Sequence, residues 1–293
     1  MVRPIGMLAG AGFVLVLLWS LMWGAIAFIS EPPKPTVEHE FHLYPKKNIS
    51  FSFEGVGGKY DNRQLQRGFQ VYKEVCSACH SLKQVAFRDL EEIGFTKPEV
   101  KAIAKNWAVE VPSINPETGE PATRKATPAD KFPSPYANEV AGRAANNNAL
   151  PPDLSLMTKA RHDGSHYVYS LLTGYADQAG YKNAEGKELL KEFPDAKTPD
   201  GLHFNPYFAN LNLAMAAPLI DGSVTYSDGT TSSLKQNAKD VAAFLTWTSE
   251  PNLPTRHAVG WASLLYLLVF TGLTYMAYRT IWADKKPKKP AKA

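Results

Sequence analysis

A chain of 293 residues, 44% hydrophobic and 20% charged, has room for one or two folded domains with an ordinary apolar complement. Arg3 and the carboxy-terminal tail account for more than the whole net charge of +4, so the stretch between them is slightly acidic and offers no basic surface for nucleic acid. Two cysteines are too few for a disulfide framework.

Residues 5–29 carry no charged side chain, and 25 residues at about 1.5 Å each exceed the roughly 30 Å hydrocarbon core of a bilayer. The segment can therefore span a membrane. Ala25-Ile26-Ala27 also resembles the small-residue site of a cleaved signal peptide, but the length of the run and its Trp19 and Trp23 favour a retained anchor. Residues 31–50, with Pro32, Pro33, Pro35 and Pro45, read as an extended linker.

Asp61 and Gln64 fit a capping box, and Leu65, Phe69, Tyr72, Cys76 and Cys79 follow at helical spacing. That helix closes on Cys76-Ser77-Ala78-Cys79-His80, the CxxCH pattern by which a polypeptide attaches haem covalently. The two thiols add to the porphyrin vinyl groups, and the imidazole of His80 is placed to take one axial position on the iron. Both cysteines of the chain lie in this motif. A closed zinc site would need two further ligands at ordered spacing; His162 and His166, four apart, are the nearest approach to such a pair.

Further along, residues 111–136 are rich in Pro, Thr and charge and read as a long solvated loop. Pro152-Asp153 opens a short helix that contains Leu154 and Met157. Residues 223–232, with Val224 and Tyr226 ahead of Asp228-Gly229, suggest a short hairpin. A strong helix is expected over residues 234–250, capped by Ser233 with Gln236 three residues on and stopped by Pro251; Leu234, Ala238, Val241, Phe244, Leu245 and Thr248 mark its buried face. It suits the c-type plan in which a terminal helix crosses the helix that enters the haem motif.

A second apolar segment covers residues 258–278, with Trp261 and Trp282 near its ends, where amphipathic rings prefer the membrane interface. Arg279, Lys285, Lys286, Lys288, Lys289 and Lys292 follow it. With Arg3 before the first segment, the positive-inside rule puts both termini in the cytoplasm and everything between them outside. Bacterial c-type haem is attached on that outer side.

A single histidine leaves the opposite face of the iron open, and methionine is the usual electron-transfer ligand there. Met1, Met7, Met22 and Met276 belong to the amino terminus or the apolar segments, which leaves Met157 and Met215. Met157 has the setting of core filler. Met215 lies in the loop Ala214-Met215-Ala216-Ala217-Pro218-Leu219, after Phe204-Asn205-Pro206-Tyr207-Phe208, where a nearby proline can present its side chain rigidly. Met215 is the leading candidate, with Met157 and a histidine as alternatives.

Several motifs in one order resemble the cytochrome c1 family. They are Arg67-Gly68-Phe69-Gln70-Val71-Tyr72 leading into the haem motif, Ala145-Asn146-Asn147-Asn148-Ala149-Leu150-Pro151-Pro152-Asp153-Leu154-Ser155, Ala160-Arg161-His162, and Tyr167 through Leu171-Leu172-Thr173-Gly174-Tyr175. The run from Phe204 to Phe208, the Met215 loop, and Asp240-Val241 to Phe244-Leu245 continue the likeness, which covers nearly everything from Ser50 to the tail.

The resemblance implies a mainly α fold: a monohaem c-type cytochrome helical domain with long loops and a short hairpin, flanked by transmembrane helices. Residues 1–30 would be the anchor or signal sequence, 31–257 the periplasmic haem c domain, 258–282 the second membrane helix and 283–293 a basic cytoplasmic tail. It also implies one covalently attached haem c, with Cys76 and Cys79 attaching it and His80 and Met215 ligating iron. Arg161 would pair with a haem propionate, and Asn146 and Tyr167 would line the same region.

The implied activity is that of a subunit of the quinol–cytochrome c oxidoreductase, the cytochrome bc1 complex of the bacterial inner membrane. It would take one electron from the Rieske iron–sulfur protein and pass it to a c-type cytochrome, beside cytochrome b and within a dimeric complex. The alternative is a free-standing anchored c-type cytochrome that donates to an oxidase; an open-site haem sensor or peroxidase would require Met215 to be core filler. Two positions depart from the family pattern in their motifs. Asn148 stands where glycine is usual, tolerable because asparagine adopts left-handed backbone angles, and Ala217 replaces a common proline, which loosens the ligand loop slightly.

Overall fold

The computed structural model describes residues 2–32, 34–283 and 285. Pro33 of the linker, and Asp284, Lys286, Lys288, Lys289 and Lys292 of the basic tail, lie outside the described residues.

In chain order, α1 (Val2–Ser30) is one uninterrupted helix that runs through Ala25-Ile26-Ala27. The expected extended linker contains a short helix, α2 (Val37–Phe41), because the Thr36 hydroxyl caps it by accepting from the His39 N–H. Helix α3 (Asn62–Glu74) starts at Asp61, whose carboxylate accepts from the Arg63 and Gln64 N–H groups. Only half of the expected capping box forms, since the Gln64 amide turns to the buried Asp240 carboxylate at 3.0 Å. The helix also stops short of the haem motif: Val75 caps it, and Cys76–Ala78 form a separate 3₁₀ turn.

Strand β1 (Leu82–Ala86) and a 3₁₀ segment (Phe87–Ile93) precede α4 (Lys97–Lys105). The expected solvated loop over 111–136 is instead partly ordered. Strands β2 (Val111–Ile114) and β3 (Pro121–Arg124) form an antiparallel hairpin, and β4 (Lys131–Phe132) pairs with β1. The Asn115 N–H bonds to the Glu120 carbonyl to close the turn, while Val111, Ala126 and Phe132 are drawn into the core. Hydrophobic anchoring at a few positions outweighed a polar composition.

Helices α5 (Glu139–Ala145), α6 (Met157–Ala160) and α7 (Gly164–Leu172) follow, then α8 (Leu189–Glu192) and the strand pair β5 (His203–Phe204) with β6 (Asn212–Leu213). Helix α6 begins later than expected, because Pro152 and Asp153 lie outside any helix and are committed to contacts described below. The hairpin expected over 223–232 does not form a ladder. Val224 and Tyr226 are buried, and a turn closes from the Gly229 N–H to the Tyr226 carbonyl, but Asp228 spends a carboxylate oxygen on the Thr230 N–H. Helix α9 (Leu234–Ser249) matches expectation, with the Ser233 hydroxyl accepting from the Gln236 N–H. Helix α10 (Leu253–Trp282) is longer than the apolar segment it contains, since Pro254 in its first turn continues it back towards α9.

The chain divides into two compact units. One comprises Met1–His42 with Ala179–Lys197; in it Phe41, 1% exposed, packs edge-on against Phe193 and near Tyr181, and Lys187 pairs with Glu40 at 3.2 Å. The other comprises Leu43–Gln178 with Thr198–Ala293 and holds the haem motif. Its centre is the crossing of α3 and α9, which α6 and α7 also join. Rings of Phe69, Tyr72, Phe87, Trp107, Phe132 and Phe244 meet there at centroid separations from 4.2 Å upward. Aromatic pairs in such offset or edge-on geometry add to the burial energy of their area.

Among the described residues two helices are long and apolar enough to cross a membrane, Arg3–Ser30 and Leu253–Trp282, and their apolar windows are wholly exposed.

Candidate haem-binding site

Cys76 opens the 3₁₀ turn and Cys79 caps it, and the Cys79 and His80 N–H groups both bond to the Cys76 carbonyl, at 3.1 and 2.9 Å. Both thiols are free. Burial, helped by the neighbouring Cys79, pushes the Cys76 thiol up to about 12, so it stays protonated. The two thiols are the groups that would carry thioether bonds to a haem.

His80 is fixed at both ends. The Tyr72 hydroxyl donates to its backbone carbonyl at 3.0 Å, and its Nδ1 donates to the Pro152 carbonyl at 2.8 Å. Burial lowers its pKa, with Pro152 and Asp153 opposing, and the neutral imidazole is the ligating form. With Nδ1 occupied, Nε2 is the ring nitrogen left open.

Pro152 is itself positioned by its neighbour. The Asp153 carboxylate accepts from the Ser81 hydroxyl at 2.8 Å, the Lys83 N–H at 2.7 Å and the Ser155 N–H at 3.0 Å, while the Leu154 N–H bonds to the Ser81 carbonyl at 3.0 Å. This clasp binds the segment after the haem motif to residues 152–155. Burial would raise the Asp153 pKa, but these hydrogen bonds outweigh it and hold the carboxyl below its usual range.

Met215 sits two residues past β6. The fully buried Asn205 amide donates to the Leu171 carbonyl at 2.8 Å and its oxygen accepts from the Tyr207 N–H at 3.1 Å, which staples the β5–β6 loop to the end of α7. Leu211, at φ 63°, turns the chain tightly before β6. The Tyr175 hydroxyl then donates to the Met215 carbonyl at 2.9 Å. Met215, Cys76 and Tyr167 are all half-buried against the same hydrophobic core, as is Met157.

Asn146 caps α5, and its amide donates to the Tyr136 hydroxyl at 2.8 Å and the Gly142 carbonyl at 2.7 Å. Tyr136 lies near enough to Cys79 for the thiol to help raise the pKa of its hydroxyl, so the asparagine neighbours the haem motif through a tyrosine. Asn148 adopts φ 62°, the left-handed conformation that the usual glycine would supply. Arg161 stands exposed after α6, with one guanidinium N–H on the Ala160 carbonyl at 3.1 Å.

Sequence reasoning missed Tyr136, Tyr175 and the Asp153 clasp. Tyr175 and Asp153 stand inside the motifs that resemble the family, which was the available signal; Tyr136 lies at the end of the stretch expected to be a solvated loop.

Two free thiols, an imidazole with one nitrogen open and a thioether with a fixed backbone form the donor set that covalently attached haem requires. No group of three His, Cys, Asp or Glu side chains able to hold a metal ion occurs among the described residues.

Comparison with known proteins agrees. A family profile described as "Cytochrome C1 family" matches residues 51–285. The chain is 44% identical to the cytochrome c1 of Rhodospirillum rubrum over 80% of this chain and 87% of that protein. It is 41% identical to the "Cytochrome b-c1 complex catalytic subunit, mitochondrial" of Candida albicans over 85% of this chain and 81% of that one. It is also 41% identical to the "Cytochrome b/c1" of Bradyrhizobium diazoefficiens over 80% of this chain, although the match spans only 35% of that longer protein. Motif, donor set and likeness together place the chain in the cytochrome c1 family, with covalently attached haem c as its cofactor.

Proposed function

We propose that this chain is the electron-transfer subunit of a cytochrome bc1 complex, taking one electron from the Rieske iron–sulfur protein and passing it to a c-type cytochrome. The quinol–cytochrome c oxidoreductase activity belongs to the assembled complex, and no substrate bond is made or broken at this haem. Haem c supplies a reversible one-electron iron couple. The residues of the chain hold it, exclude water and set its potential.

In this reading Cys76 and Cys79 carry the thioether bonds, and His80 Nε2 and the Met215 sulfur ligate the iron. Arg161 is free to swing from its exposed position to a propionate, whose charge needs a bidentate cation. Asn146, through Tyr136, and Tyr167 line the haem's surroundings. Residues 1–30 and 258–282 anchor the chain in the bacterial inner membrane, 31–257 face the periplasm, and 283–293 stay in the cytoplasm. A soft thioether together with a neutral imidazole would favour ferrous iron and a raised potential, as a relay late in a chain of carriers needs.

The observation that carries this reading is the immobilised His80, with its Nδ1 on Pro152, beside two free thiols. The names of two relatives, one a b-c1 complex subunit and one a joint b/c1 protein, support the assembly. Purification in mild detergent tests it. Cytochrome b and the Rieske protein should co-elute with this chain, and isolation without them would favour a free-standing anchored cytochrome.

A further inference from the structure

The loop of residues 55–58 reads Gly-Val-Gly-Gly and touches the start of the long apolar helix α10. The Trp261 indole N–H donates to the Val56 carbonyl at 2.9 Å, and the His257 Nδ1 donates to the Gly58 carbonyl at 3.1 Å. The loop cannot drift from this place. A Cβ at Gly58 would lie 2.2 Å from the Phe53 carbonyl oxygen, and Phe53 itself is buried in the core.

Trp261 also fixes the depth of the loop. From Trp261 to Trp282 is 21 residues, about 32 Å along a helix against a hydrocarbon core of roughly 30 Å, so the two indoles mark the two interfaces. A loop bonded to Trp261 lies at the first of them. Its chemistry suits that position, because between Glu54 and Lys59 no side chain has a polar atom. Glu54 is turned away, its carboxylate accepting from the Phe51 N–H and bonded to His166. Val56 is 74% exposed, and Lys59 is exposed at the base of the loop. At such depth a backbone carbonyl and an indole N–H each need a partner, and each supplies the other.

We propose that residues 55–58 are a membrane-contacting loop, with Val56 entering the lipid at the headgroup boundary beside Trp261 and Lys59 reaching the phosphates. The occupant is lipid, because the loop is bonded to Trp261 and its one side chain with carbon atoms, Val56, is exposed and apolar like those of α10 beyond Trp261. The inference rests on the proposed anchorage by α10. It gives the haem domain a second point of attachment next to its anchor and so a fixed tilt over the membrane.

The test uses the full haem-loaded chain in vesicles of phosphatidylcholine and phosphatidylglycerol. With both native thiols bonded to haem, a nitroxide is attached at Val56→Cys, at Leu267→Cys within α10, and at Glu117→Cys on the exposed tip of the β2–β3 hairpin; an unchanged haem spectrum checks each fold. The label at 56 should collide several-fold more with oxygen than with a water-soluble nickel chelate, relative to the label at 117. A label at 56 that matches 117 while 267 reports lipid overturns the loop contact and leaves the anchor standing. Water exposure at 267 overturns the anchor itself, and shielding at 56 from both reagents means that protein, not lipid, covers the loop.

Discussion

A Cβ added at Gly68 would stand 2.1 Å from the backbone carbonyl oxygen of Asp240 and 2.6 Å from the Cβ of Phe244. Helices α3 and α9 therefore cross with their backbones in contact, and the haem motif hangs from the end of that crossing. Gly68 follows Arg67, whose guanidinium holds the side chain of the same Asp240 at 2.8 Å.

Gly68→Ala should push the two helices apart. Overpacking of this kind costs ~1–3 kcal/mol, or more where backbone is the obstacle. A lower urea midpoint of the haem-loaded domain, with the denaturant slope unchanged, is the expected reading.

Asp240→Ala should cost more. Asp240 is fully buried and accepts from Arg67, from Gln64 at 3.0 Å and from Gln236 at 2.9 Å. Its loss leaves the guanidinium with Asp228 alone, and breaking one side of a buried pair costs about 3–5 kcal/mol. Denaturant unfolding checks the figure, and Asp240→Asn, which keeps the shape, should lose less.

Acid should loosen the clasp on His80. The Asp153 carboxyl is held below its ordinary value, so its contribution is complete above the unfolded pKa of about 3.9 and is lost as the pH falls through the lower folded value. Raising the pH from neutral should change nothing. Asp153→Asn should flatten the acid limb of a plot of thermal midpoint against pH.

Tyr175→Phe removes the hydroxyl that holds the Met215 carbonyl. One such hydrogen bond is worth about 1 kcal/mol. A weakened iron–methionine charge-transfer band and a modest fall in potential are expected, with the fold intact by circular dichroism.

Met215→Leu removes the proposed sixth ligand altogether. Axial ligands move haem potentials by amounts on the order of tenths of a volt, so the midpoint potential should fall by that much and carbon monoxide should bind the reduced haem. Unchanged potential and carbon monoxide affinity would instead make Met215 core filler.

The haem motif, both long helices and the apolar ends were legible because each is a local signal: fixed spacing, helical period, or unbroken apolarity. The cap of α9 by Ser233 was read correctly for the same reason. Elsewhere tertiary partners decided. Gln64 gave up its half of the capping box for Asp240, Phe132 pulled a polar stretch into the core, and Pro152 stayed out of the helix with its carbonyl on His80. His80 stood out by its motif and Met215 by elimination among the methionines, but the hydroxyls of Tyr72 and Tyr175 that bond to their carbonyls did not, since nothing in the local sequence shows which carbonyl a tyrosine will donate to.

The Pro152 carbonyl reaches His80 across 72 residues of chain, and Tyr175 reaches Met215 across 40. Under the proposed ligation each side of the iron depends also on a segment remote from the one that carries its ligand. The colour of the haem then becomes a gauge of long-range closure: a chain with haem attached but the 152–155 or 205–211 segment undocked should show an altered axial spectrum while its helix content stays the same. Visible absorbance alone could then follow the last steps of folding, after the covalent bonds to the cofactor are complete.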